Sequence, residues 1–202
     1  MSDFLNIVFR AMVVENLALV FLLGMCTYIA VSKRVDTAIG LGIAVSVVIL
    51  ITVPVNQLIY NYLLAPGALS WAGYPELDLS FLRFIAFIGV IAALVQILEM
   101  VLDRSFPRLH QALGIYLPLL TVNCAILGAS LLMAQRSLGF VDSVAYGLGV
   151  GIGWALAVIV FAAIRERLRY SDAPEDLKGL GLSFIVTGLI AFAFAGLSGI
   201  EI

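Results

Sequence analysis

Six stretches of this chain are apolar for about the thickness of a bilayer, and that leaves few folds open to it. They lie near residues 11 to 31, 38 to 60, 81 to 102, 112 to 134, 143 to 164 and 179 to 200 of the 202-residue sequence. A helix rises ~1.5 Å per residue and the hydrocarbon layer is ~30 Å thick, so roughly 20 apolar residues make one crossing. The expected fold is an all-α polytopic membrane protein with six transmembrane helices. The bulk composition agrees, with 63% hydrophobic and 12% charged residues against roughly 45–50% and 25% in an average soluble domain. Almost nothing remains for a soluble domain, so residues 1–202 read as a single membrane domain.

The first run is interrupted by Glu15 and Asn16, is followed by Lys33-Arg34, and lacks a small-residue cleavage site. It therefore reads as a spanning helix rather than a removable signal peptide. A formal charge of -2 and the absence of a basic patch argue against a nucleic-acid partner, leaving membrane lipid as the surrounding medium. Orientation follows from the cations. Lys33, Arg34, Arg104, Arg108, Arg165, Arg167, Arg169 and Lys178, eight of the eleven, fall in loops one, three and five. Arg10, Arg83 and Arg136 lie near the opposite face. The positive-inside rule then puts the odd loops in the cytoplasm, both termini outside, and the uncharged-to-acidic loop 66–78 outside as well.

The chain also matches itself. At a separation of 99 residues, Pro75-Glu76 pairs with Pro174-Glu175, Gly89 with Gly188, and Ile91-Ala92 with Ile190-Ala191; Cys26 and Cys124 are 98 apart. Gly40-Leu41-Gly42 resembles Gly147-Leu148-Gly149, which needs a longer connection in one half. This reads as two three-helix repeats, 1–103 and 104–202. Three crossings per half make the second enter from the opposite side, so the repeats are inverted about a pseudo-two-fold axis in the membrane plane.

Cys26 and Cys124, the only cysteines, would face each other across that axis, on helices one and four. Thiolates are soft metal ligands and redox groups, so this placement points to a metal. Two thiols are half of a tetrathiolate site. Both cysteine helices carry the means to break: Asn16 and Gly24 before Cys26, and Pro118, Asn123 and Gly128 around Cys124. Half-helix N-termini aimed at bound thiolates would stabilise an anionic centre. Ordinary kinked packing is the alternative account of Pro118.

Glu99 lies inside the third run, about a turn before Asp103-Arg104. An intramembrane carboxylate is costly enough to suggest a cation or proton path; snorkelling to the interface or pairing with Arg104 is the structural alternative. Glu15 invites the same two readings. Gly147-x-Gly149-x-Gly151-x-Gly153 follows no strand and is read as close helix packing rather than nucleotide binding. His110 is a lone loop histidine and a poor metal ligand. With no catalytic triad, CxxC or phosphate-binding motif, the chain is not expected to be a complete enzyme.

At these same residues the chain resembles a known family. Glu15-Asn16-Leu17-Ala18-Leu19, Leu23-Gly24-Met25-Cys26-Thr27, Val95-Gln96-Ile97-Leu98-Glu99-Met100, Tyr116-Leu117-Pro118-Leu119, Thr121-Val122-Asn123-Cys124-Ala125-Ile126 and Arg165-Glu166-Arg167 look like the E subunits of sodium-translocating NADH:quinone reductases. The likeness runs nearly end to end. The A subunits of Rnf-type ferredoxin:NAD oxidoreductases share the cysteine motifs, but Val53-Pro54-Val55-Asn56 and the long second loop are more similar to the former.

The resemblance implies a six-helix member of a six-subunit complex in the bacterial inner membrane, with both termini periplasmic. It would pair in inverted orientation with the homologous D subunit, beside the flavin-bearing C and F subunits and the A and B subunits. Cys26 and Cys124 would supply half the ligands of a [2Fe-2S] cluster or a single tetrathiolate iron, relaying electrons across the bilayer between the flavins while the complex exports sodium. Glu99 would lean toward the cation path. NAD, flavins and quinone would be bound elsewhere in the complex. A secondary ion transporter, or a structural subunit with inert cysteines, are the competing expectations.

Overall fold

A computed structural model describes residues 2–65, 80–105, 114, 116–170 and 179–198. The loop 66–78, Pro75-Glu76, Pro174-Glu175, Arg108, His110 and Lys178 lie outside the described residues. Those described are helical wherever they are regular: α1 (Ser2–Phe9), α2 (Met25–Val31), α3 (Val35–Ile59), α4 (Arg83–Ser105), α5 (Leu117–Thr121), α6 (Cys124–Gln135), α7 (Phe140–Leu168) and α8 (Leu180–Ser198). Wider π-turns extend α1 through Arg10–Val14 and α3 through Tyr60–Leu64.

Among the described residues four segments are long and apolar enough to cross a bilayer: Val35–Leu64, Arg83–Ser105, Pro118–Gln135 and Phe140–Leu168. The 19-residue α8 corresponds to the sixth apolar run. The fourth run is broken, as expected, with α5 ending at Thr121 and α6 restarting at Cys124. The first run departs further from a helix. Between the π-turn and α2 lie ten non-helical residues, 15–24.

That stretch is held by side chains as well as by its own turns. The Asn16 amide nitrogen donates to Met12 O at 3.0 Å and to Gly153 O at 2.8 Å, while its Oδ1 accepts from the Ala18 amide at 3.0 Å. Leu23 N reaches Leu17 O at 3.0 Å. Asn16, Leu17, Ala18 and Leu19 are buried, so the first half of this irregular stretch is covered by protein, whereas Val20, Phe21 and Leu22 are exposed.

The core is α7, which α3 flanks on one side and α1 on another. The alternating glycines explain how one helix takes two close neighbours. A Cβ on Gly151 would lie 2.9 Å from Ser46 Cα, and one on Gly147 3.4 Å from Ile49 O, both on α3. On Gly149 and Gly153 it would lie 2.5 Å from Val8 O and 2.7 Å from Met12 O, on the α1 side. The run is thus two small-xxx-small stripes on two faces, each admitting a backbone. Ser46 Oγ sits 2.8 Å from the carbonyl oxygens of both Gly42 and Gly151 and joins the pair. Asn56 on α3 donates to Ser130 Oγ on α6 at 2.9 Å.

Helices α4 and α8 are peripheral. In α4 only Phe87, Ile91, Val95 and Leu102 are buried, while in α8 Phe184, Ile185, Leu189 and Phe192 are exposed. The arginines separate by end. Lys33, Arg165 and Arg169 line one cavity, and Arg10 and Arg136 line another.

Candidate metal centre

The break in the first crossing packs directly on the break in the fourth. At Gly24 the backbone turns with φ +82°, a conformation open to glycine, and α2 starts on the next residue with Cys26 in second position. In the fourth run, Asn123 is extended and its Oδ1 accepts from the Ala125 amide at 2.9 Å, capping α6 as it begins with Cys124. A Cβ on Gly24 would meet Trp154 Nε1 at 2.8 Å, Asn123 Oδ1 at 3.0 Å and Ala125 Cβ at 3.2 Å. No side chain fits there.

The two halves are also bonded. The Gly24 amide donates to Cys124 Sγ at 2.9 Å, so one thiol is held by the residue two positions before the other. An amide donor and the N-terminal end of α6 both stabilise negative charge on that sulfur. Cys26 Sγ lies 3.8 Å from Thr27 Oγ1. Trp154 on α7 backs the junction, its Nε1 donating to Leu23 O at 3.4 Å. Gly128, one turn into α6, leaves room for Leu23, whose Cδ1 would lie 2.5 Å from a Cβ there.

Both cysteines are free and exposed on the surface of the chain. Among the described residues no group of three or more Cys, His, Asp or Glu could hold a metal. The donor set fits half of a tetrathiolate centre. Two thiols presented outward can be completed by two from a second chain, whereas two buried inside the bundle could not.

Glu99 lies on α4, half-buried, and among the described residues has no ion-pair or hydrogen-bond partner; the alternative pairing with Arg104 does not form. Glu15 has a structural role. It accepts from Arg10 Nε at 3.1 Å and pairs with Arg136 Nη1, tying the end of α1 to the end of α6. Arg136 also lies over the Tyr146 ring, 5.6 Å from its centre.

Two supporting residues escape a reading of the sequence. Trp154, fully buried, is one of many large apolar residues in a spanning helix and carries no signal. Arg165 donates to Ile29 O and Ser32 Oγ, both at 2.8 Å, closing the C-terminal end of the seven-residue α2. Its signal is its position within the last turns of an apolar run, where a cation can satisfy helix carbonyls.

Comparison with known proteins agrees with this architecture. The family described as "Rnf-Nqr subunit, membrane protein" matches residues 4–201. Among the most similar curated proteins are the E subunits of the Na(+)-translocating NADH-quinone reductases of Psychromonas ingrahamii, 61% identical, and of Pseudoalteromonas translucida, 59% identical, each over 202 residues and the whole of both chains. That of Maridesulfovibrio salexigens is 60% identical over 201 residues, again covering both chains in full. With a match from end to end and relatives at this identity, the chain belongs to the Rnf-Nqr family of membrane subunits.

Proposed function

We propose that this chain is the electron-relaying membrane subunit of a sodium-translocating NADH:quinone reductase, and that Cys26 and Cys124 contribute two of four thiolates to an iron centre shared with a homologous subunit. The observation that carries the reading is the junction itself. The only two cysteines come from opposite halves of the sequence, stand at helix breaks joined by the bond from the Gly24 amide to Cys124 Sγ, and are exposed.

When bound, the iron would accept and release one electron at a time. The residues of this chain would set the conditions for that. Cys26 and Cys124 act as ligands; the Gly24 amide withdraws charge from the Cys124 sulfur; Asn123 fixes the start of α6 so that the thiol is presented in one orientation. Hydrogen bonds to ligand sulfur and exclusion of water are the means by which a protein tunes such a centre. NADH, flavin and quinone chemistry belongs to other subunits in this reading, with the flavin-bearing C and F subunits on opposite sides of the membrane and the A and B subunits completing the complex.

The partner is the homologous D subunit, related by the inverted repeat. Support for the repeats 1–103 and 104–202 comes from α3 and α7, the helices of the second apolar run of each half, which pack against each other. The inner bacterial membrane is what the family resemblance implies, and the distribution of cations supports periplasmic termini. Glu99, half-buried and without a partner among the described residues, belongs to the sodium path of the complex on this reading.

The test is iron content and low-temperature spectroscopy of the intact complex, wild type against Cys26→Ser and Cys124→Ser, with assembly followed on native gels. Loss of iron and its spectrum from both assembled variants is expected. Iron retained in either variant would sink the ligand assignment and leave scaffolding or transport as the role.

A further inference from the structure

The cavity at the other end of α2 has no part in the junction. It measures about 320 Å³ and is lined by the cations Lys33, Arg165 and Arg169 and by the apolar Phe161, Leu182 and Val186. Its volume is at the lower end of the ~300–1,000 Å³ typical of small-molecule sites. The cations come from separate parts of the chain, the α2–α3 connection and the end of α7, while α8 provides the apolar wall. Among the described residues none of those lining the cavity is acidic, and none of the three cations is ion-paired. Arg165 commits Nη1 to Ile29 O and Ser32 Oγ, and Arg169 reaches Lys33 O only at 3.5 Å.

We infer that this cavity binds the phosphodiester headgroup of an anionic phospholipid, with the acyl chains running along α8. Three features select a lipid. The cavity lies where the spanning helix α7 ends, hence at headgroup depth. The charge of its described lining is of one sign. The apolar lining includes Leu182 and Val186 of α8, and Ile185, Leu189 and Phe192 are exposed along the same helix. Basic pockets between transmembrane helices recognise anionic headgroups by this combination.

The experiment is native mass spectrometry of the purified complex, delipidated and then titrated with phosphatidylglycerol or phosphatidylcholine of matched chains, with inorganic phosphate as a third arm. Wild type should bind phosphatidylglycerol preferentially. Because a basic group at the surface contributes about a fivefold factor, Lys33→Gln with Arg169→Gln should weaken that binding roughly thirtyfold and leave phosphatidylcholine unchanged. Arg165 is left in place because it holds α2. Should the double variant fail to assemble, Val186→Trp fills the apolar floor, keeps every charge, and should also abolish the preference.

Millimolar phosphate that displaces the lipid would make the site one for free anions and overturn the proposal. Equal binding of both lipids, or a preference untouched by the variants, would do the same. So would a wild type without preference that gains one when Asp172, Glu175 and Asp176 are neutralised, since the cations would then serve the connection between α7 and α8.

Discussion

At the scale of single residues, the candidate centre depends on two that are not ligands. Gly24 combines a left-handed backbone with a site 2.8 Å from Trp154 Nε1. For Gly24→Ala the backbone strain alone costs about 1–2 kcal/mol, and the contacts to Trp154 and Asn123 add to it. The expected outcome is a lower unfolding midpoint, together with slower alkylation of Cys124 in the free chain as the amide that stabilises negative charge on its sulfur moves away. Unchanged alkylation would mean that the bond has no hold on the thiol. Asn16 is the counterpart in the first crossing. Asn16→Leu removes three hydrogen bonds at a fully buried position, at about 1–3 kcal/mol for each polar group left unpaired, and is expected to prevent stable folding. The cysteines were legible in the sequence because residue type alone suggests thiolate chemistry. The role of Asn16 was only partly so: that it breaks a helix is local, but Gly153 O lies 137 residues away. Glu15 was ambiguous for the same reason, since Arg136 reaches it across the fold.

At the scale of elements, hydropathy located the long helices because burial in lipid is a property of each segment separately. It located the first crossing less well. An apolar run says that a stretch is out of water, and residues 15–24 satisfy that without being helical. The glycines of α7 make a sharper case. Gly151→Ala would press a methyl group on Ser46 backbone at 2.9 Å, whereas Gly188 on α8 has nothing within 4 Å. The first substitution is expected to destabilise by about 1–3 kcal/mol, as overpacking does. The second should be neutral or stabilising by up to about 1 kcal/mol in the free chain, through helix propensity. Denaturation of the two variants side by side checks the contrast. Helix α2 depends on its neighbours in another way. Seven residues are too few to be helical alone, and this helix leans on Arg165 and on the stacking of Tyr28 against Phe161, ring centres 4.5 Å apart. Arg165→Met should raise hydrogen exchange at the amides of α2 while leaving α3 and α7 protected.

At the scale of the whole molecule, the chain reads as one side of an interface. The thiols are exposed, and α4 and α8 bury little more than a stripe each while presenting Phe84, Ile85, Ile97, Met100 and Phe192 outward. Lipid alone could cover α4 and α8, but it would not explain two outward thiols held at a junction of irregular backbone. A second protein surface carrying its own thiols would. This was the least legible level of the sequence, because an internal repeat speaks of symmetry within the chain and is silent on what covers its surface. The distinction can be measured by alkylation with a small membrane-permeant maleimide, read by mass spectrometry. In the chain purified alone in detergent, Cys26 and Cys124 should both react. In the intact complex both should be protected, and chelation of iron under reducing conditions should restore their reactivity without dissociating the subunits. Protection that survives iron removal would point to burial by the partner alone. Reactivity equal in the free chain and the complex would mean that the thiols face lipid, and the shared centre would have to be given up.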